Sequence, residues 1–167
     1  MARVSLVPLD EMASELRDAV ARGQQSRMLS SPRPVQVWAH RPDAALAWLG
    51  LLESLYENSV LDERLRELVR LKIASITTCH ACQLARKSDQ VTEVDVACLS
   101  SGSDHFAPSE RAALVFAELF ASDYMAIGDE HYARLAEFFS EAQVVELNMF
   151  CALMLAGGRM TYVQQAY

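Results

Sequence analysis

Apolar residues recur every three to four positions along most of this chain, while the sustained alternation that marks a half-buried strand is absent. Residues 9–23 put Leu9, Met12, Leu16 and Val20 on one helical face, with Gly23 as the expected stop. Residues 30–34, SSPRP, read as a loop. After Pro42 the run AALAWLGLLESLYEN is apolar on almost every face, which predicts a helix buried on more than one side. Asp62 is placed to cap the next helix, DERLRELVRLKIASITT. A short helix is expected from CQLARKSDQ, and another from VTEVDVACLSSGS, closed by Gly102. Pro108 opens PSERAALVFAELFASD, with proline and acids in the first turn. GDEHYARLAEFF follows. Ser140 and Gln143 then form a capping-box pattern ahead of the last long helix, which Gly157 and Gly158 are expected to kink or interrupt. The fold class is therefore all-α, seven to nine helices with short loops, in a single domain over 1–167.

Composition narrows the partners. The chain has 167 residues, 51% hydrophobic and 22% charged, enough for a sizeable core and ordinary for a globular protein. Its net charge is −7 and its pI near 5.1, so its surface mostly repels phosphates. That argues against nucleic acid and against anionic membranes as partners. The longest clean apolar run, near Cys151 to Ala156, is far too short to span a bilayer, and no secretory signal is visible at the start. The expected compartment is cytoplasmic.

In a reducing compartment a CxxC pair reads as catalytic or metal-binding before it reads as a structural staple. The pair here is Cys79 and Cys82, within TTCHACQLARK (77–87). A redox dithiol needs two thiols close enough to bridge, a lowered thiol pKa and a route for the proton. Candidates for the last two tasks are His80, Arg86 and Glu67 on the preceding helix. A buried Glu67 would titrate high and could act as a base. The alternative is a solvated carboxylate paired with Arg70 or Arg66. Arg86 could favour a thiolate by its charge, or simply pair with Asp89 or face solvent. Zinc would need two further ligands from Cys98 and Cys151, which sit alone in apolar segments and read as inert buried thiols. His40, His105 and His131 follow no pattern and are expected at the surface or as caps. No metal and no bound cofactor is expected.

The run RELVRLKIASITTCHACQLARK resembles the central signature of the carboxymuconolactone decarboxylase superfamily, in its alkyl hydroperoxidase D-like branch. That branch carries a Glu, eleven residues, Cys-x-x-Cys, three residues and a His. Glu67, Cys79 and Cys82 fit the spacing, and the resemblance extends over about residues 35–160. It implies an all-helical homo-oligomer, a trimer or hexamer. It also implies peroxidase or disulfide-reductase chemistry through Cys79 and Cys82, with Glu67 in the proton relay. Two positions depart from the pattern: Arg86 stands where the family has its His, and Ala81 precedes the second cysteine, with His80 one place earlier. A guanidinium does not act as a base.

The expected activity is thus reduction of a hydroperoxide by a dithiol, with an external dithiol or thiol protein as reductant. Two alternatives stay open: an oligomeric scaffold whose CxxC is a redox switch without turnover, and a lyase of the lactone decarboxylase kind. The lyase would need a basic pocket, to which Arg66, Arg70, Arg86 and Arg159 could contribute.

Overall fold

The computed structural model describes residues 2–99 and 104–167, the side chains of His80 and Ala81 excepted. Among these residues there are nine α-helices, two short 3-10 turns and no strand. Their contacts divide the chain into two compact units, Met1–Ser59 with Arg159–Tyr167, and Val60–Gly158.

The first unit holds α1 (Ser14–Gln25), α2 (Arg33–Trp38) and α3 (Pro42–Glu57). The predicted start at Leu9 is a separate 3-10 turn, Leu9–Glu11, and the helix proper begins at Ser14. Gly23 does not stop α1. It lies inside the helix, where a Cβ would come within 2.9 Å of the Leu29 side chain, so it is there for close approach. The loop expected at 30–34 gives way to α2 at Arg33, with Pro34 in its first turn where a missing N–H costs nothing. Buried Ala45, Leu49, Leu52 and Leu55 lie on one face of α3, whereas Leu51 is exposed. Within the chain α3 is therefore buried on one side only, contrary to the sequence expectation. The chain's end is tied into this unit: Trp38 Nε1 donates to Gln164 Oε1 at 2.9 Å, and Arg3 N donates to Gln164 O at 2.9 Å.

The second unit is built around α4 (Glu63–Ile76), which packs along α7 (Pro108–Ser122). Asp62 caps α4 by accepting the Leu65 amide at 2.7 Å, as its position predicts. From Glu67 to Ala74 every residue of α4 is buried, so this helix is enclosed on all faces. Leu68 and Leu71 join Val91, Leu99, Phe106 and Leu114 in one apolar cluster. Around it stand α5 (His80–Leu84), α6 (Glu93–Cys98), α8 (Asp129–Ala136) and most of α9 (Glu141–Gln164). The Ser140–Gln143 capping box forms. Helix α9 runs through Gly157 and Gly158 without interruption, since nothing there withdraws its backbone bonds. Gly102, expected to close α6, lies outside the described residues. No helix among the described residues is long and apolar enough to cross a membrane.

Candidate active site

The dithiol sits at a sharp corner. Thr77 ends α4, its N–H returning to Ile73 O at 2.9 Å. Thr78 then takes φ 51°, the left-handed region that a β-branched residue rarely enters. The corner is held by the Cys79 amide on Ala74 O at 3.1 Å and by Gln83 Nε2 on the same carbonyl at 3.1 Å. Cys79 O accepts the Gln83 amide at 2.9 Å, so Cys79 occupies the cap of the five-residue helix α5. One helical turn later comes Cys82. The two cysteines form a disulfide with their Cα atoms 5.2 Å apart, well inside the usual range. Cys79 is buried and Cys82 half-buried.

Glu67 combines features of both sequence readings. It is buried, 2% exposed, and it is ion-paired. Arg70 grips both carboxylate oxygens, Nε to Oε2 at 2.6 Å and Nη2 to Oε1 at 2.7 Å. The Lys87 amide adds a third bond to Oε1 at 3.0 Å. Arg70 reaches further, donating from Nη1 to Cys82 O at 2.7 Å and from Nη2 to Ala85 O at 2.6 Å. These are carbonyls at the end of α5, where the helix itself supplies no donor. Glu67 is thus linked to the dithiol through Arg70 and the backbone of Cys82. A charged pair this deep persists because its hydrogen-bonding capacity is so fully used.

Arg86 turns away from this cluster. It pairs with Glu93, not Asp89, with Nη2 2.9 Å from Oε1, and it also donates to Gln83 O. The His80 side chain lies outside the described residues. Sequence reasoning passed over Lys87, whose partly buried ammonium is pushed down to about 8, by burial first and by the Arg70 charge second, with Glu67 opposing. Only its place next to Arg86 could have pointed to it.

The other thiols and imidazoles are elsewhere. Cys151 is 0% exposed, and burial pushes its thiol up to about 12. Cys98 is only half-buried, against the apolar cluster around Leu68, which corrects the expectation of full burial. His131 is a cap, its Nδ1 accepting the Gly128 amide at 3.1 Å. His105 instead lies 2.8 Å from the buried carboxylate of Asp95, which Arg64 grips bidentately. Arg64, then Thr92 and His105, hold the Asp95 carboxyl well below its ordinary value against the opposing effect of burial. The TEVD capping box at the head of α6 was the sequence signal for that carboxylate. Among the described residues no group of three or more His, Cys, Asp or Glu side chains is placed to hold a metal ion.

No protein-family model matches the chain. The uncharacterized protein YdfG of Bacillus subtilis (strain 168) is 28% identical over 103 residues, 58% of this chain and 70% of that protein. Among solved structures, an uncharacterized peroxidase-related protein of Ralstonia eutropha JMP134 with an alkylhydroperoxidase AhpD core superposes with a TM-score of 0.74 at 18% identity, covering 99% of this chain and 91% of that one. The apo debrominase Bmp8 superposes with a TM-score of 0.83 at 22% identity, over 99% of this chain and 91% of that one. A cysteine-to-alanine variant of Bmp8 in complex with 2,3,4-tribromopyrrole gives 0.83 at 20% identity, over 100% and 91%. The chain has the all-helical AhpD-like fold. That fold carries more than one activity, since its examples include a debrominase as well as peroxidase-related proteins.

Proposed function

We propose that the protein is a thiol oxidoreductase that reduces hydroperoxides with its Cys79–Cys82 dithiol. The observation that carries this reading is the pair itself: two cysteines bridged at the head of α5, one half-buried and one buried, with the helix end held by Arg70. The Cys82 thiolate attacks the outer peroxide oxygen. An S–O bond forms, the O–O bond breaks, and the alkoxide leaves as an alcohol on taking a proton. The Cys79 thiol then attacks the sulfenic sulfur, water departs, and the disulfide results. An external dithiol supplies the two electrons that reopen it by exchange.

Within this cycle Glu67 acts as a positioning residue. It fixes Arg70, which fixes the backbone of Cys82. Lys87 has an ordinary value shifted close enough to neutrality to exchange a proton during turnover. His80 is a second proton carrier by virtue of its place between the cysteines. Arg86, on Glu93, closes the helix rather than serving the thiols. The resemblance to a family of trimers and hexamers, together with the exposed apolar Leu84 of α5 and Val94 of α6, supports a homo-oligomer.

A second reading uses the same thiols on a halogenated aromatic. Two thiols would replace carbon–bromine by carbon–hydrogen, releasing bromide and a proton and leaving the disulfide. The debrominase neighbours favour it. The lyase reading loses ground, because Arg70 and Arg86, two of its four candidate arginines, are taken up by Glu67 and Glu93.

The test is consumption of cumene hydroperoxide with excess dithiol, run beside bromide release from a bromopyrrole. Dithiol-dependent peroxide loss that disappears in Cys82→Ser supports the peroxidase. Bromide release without peroxide loss supports the second reading. A disulfide that forms and opens with neither turnover makes the pair a switch.

A further inference from the structure

Within the second unit a cavity of about 310 Å³ opens among α4, α7 and α8. That is the lower end of the range that small-molecule sites occupy, about 300–1,000 Å³. None of its lining residues is Cys79, Cys82, Glu67 or Arg70. Its walls are apolar where Phe106, Leu114 and Val115 face it, and its charged lining is lopsided. Lys72, Arg111 and Arg134 stand against a single carboxylate, Glu118, on a protein whose net charge is −7.

The cations differ in how firmly they are held. Lys72 is nearly buried, its side chain 9% exposed. Its ammonium has three N–H donors, of which one goes to Glu118 Oε2 at 2.6 Å and one to Leu99 O at 2.8 Å. The third has no partner among the described residues, and Lys72 lines the cavity. Arg111 and Arg134 pair with Asp104 and Glu137, both exposed carboxylates whose hold on a guanidinium is weak in water. His131 adds a fourth donor. Because Nδ1 accepts the Gly128 amide, a neutral ring carries its hydrogen on Nε2. Glu130 Oε1 comes within 3.2 Å of Nδ1.

We propose that this cavity binds a small carboxylate with an apolar body. The acid group takes the spare Lys72 donor and one contact each from Arg111 and Arg134. The apolar body covers Phe106, Leu114 and Val115. Arg111 and Glu118 are seven residues apart on α7, so the lined face runs about 10 Å along the helix. That length suits an aromatic acid or a short-chain fatty acid better than a bare anion, which would leave the apolar wall wet.

The experiment is titration of the full chain with benzoate and hexanoate, followed by calorimetry. Saturable binding is expected, weakened about tenfold in Arg111→Gln and in Arg134→Gln, each a loss of one charge-assisted contact. Benzyl alcohol, neutral and of the same shape, should bind at least about tenfold more weakly for the same reason. Cys79→Ser/Cys82→Ser should bind as the parent does, which separates this site from the dithiol and leaves the redox reading untouched. Absence of saturable binding, equal binding of benzyl alcohol, equal displacement by inorganic phosphate, or loss of binding in the double serine variant would each overturn the proposal.

Discussion

Cys79 and Cys82 share a disulfide but not an environment, and their unequal exposure assigns unequal work. In the reduced protein Cys82 should alkylate about tenfold faster than Cys79, because the thiolate must meet the reagent. Cys82→Ser should abolish peroxide consumption. Cys79→Ser should still react once and leave a sulfenic acid that a carbon nucleophile traps. A second prediction concerns Lys87. Burial and the Arg70 charge bring its ammonium down to about 8 in the folded chain, against an ordinary 10.5 when unfolded. Between those values the unfolded chain holds the extra proton, so stability rises with pH across that window and is flat below it. Urea midpoints measured from pH 7 to pH 10.5 should show the rise, and Lys87→Met should remove that share of it. That Cys79 and Cys82 lie within bridging reach was legible from their spacing, because CxxC at a helix start leaves little freedom, whereas the redox reading of the pair came from the resemblance. Lys87 was not legible, since its titration depends on how deeply it lies beside Arg70, which no local pattern encodes. Glu67 was half legible: its burial follows from Leu65, Leu68 and Leu71 around it, but the grip of Arg70 on the far side of the CxxC helix is a tertiary fact.

Helix α4 carries three buried charged residues, Glu67, Arg70 and Lys72, and the first two together help hold α5 against it. Glu67→Gln leaves the Arg70 charge buried without its counterion. It should lower stability by about 3 kcal/mol, read from denaturant unfolding. In the same variant the amides of 80–86 should exchange faster than those of α7, because the donor that secures α5 is no longer fixed. Helix α9 offers the opposite sign. Gly158 lies within a continuous helix, and a Cβ there would sit 3.6 Å from Thr77 Oγ1, an ordinary contact. Gly158→Ala should therefore raise stability by about 0.5–1 kcal/mol in thermal or urea unfolding. The same geometry explains why the glycine pair misled as a sequence signal. Glycine weakens a helix without ending it, and packing along α9 decides. Gly23 misled for a related reason, being needed for the close approach of Leu29 rather than for a turn.

For the molecule as a whole, the all-helical class, the cap at Asp62, the capping box at Ser140 and the proline starts of α3 and α7 were all legible, because each rests on local periodicity or a local hydrogen bond. What α3 packs against was not, since an apolar surface does not name its partner. Its exposed Leu51 is apolar surface that a single copy leaves in water, and in the second unit so are Val145 and Met149 of α9. Sedimentation or light scattering should accordingly give a trimer or hexamer; a monomer at micromolar concentration would remove the oligomer from the reading. Cys151 has a different consequence. Its thiol is sealed from solvent and resists ionisation near neutral pH, so a thiol reagent can modify it only when the surrounding helices part. With Cys79 and Cys82 silent in their disulfide and Cys98 already labelled, the slow uptake of one further label is a clock for spontaneous opening of the interior. The protein carries its own unfolding reporter, and no cysteine need be introduced for the reagent to read it.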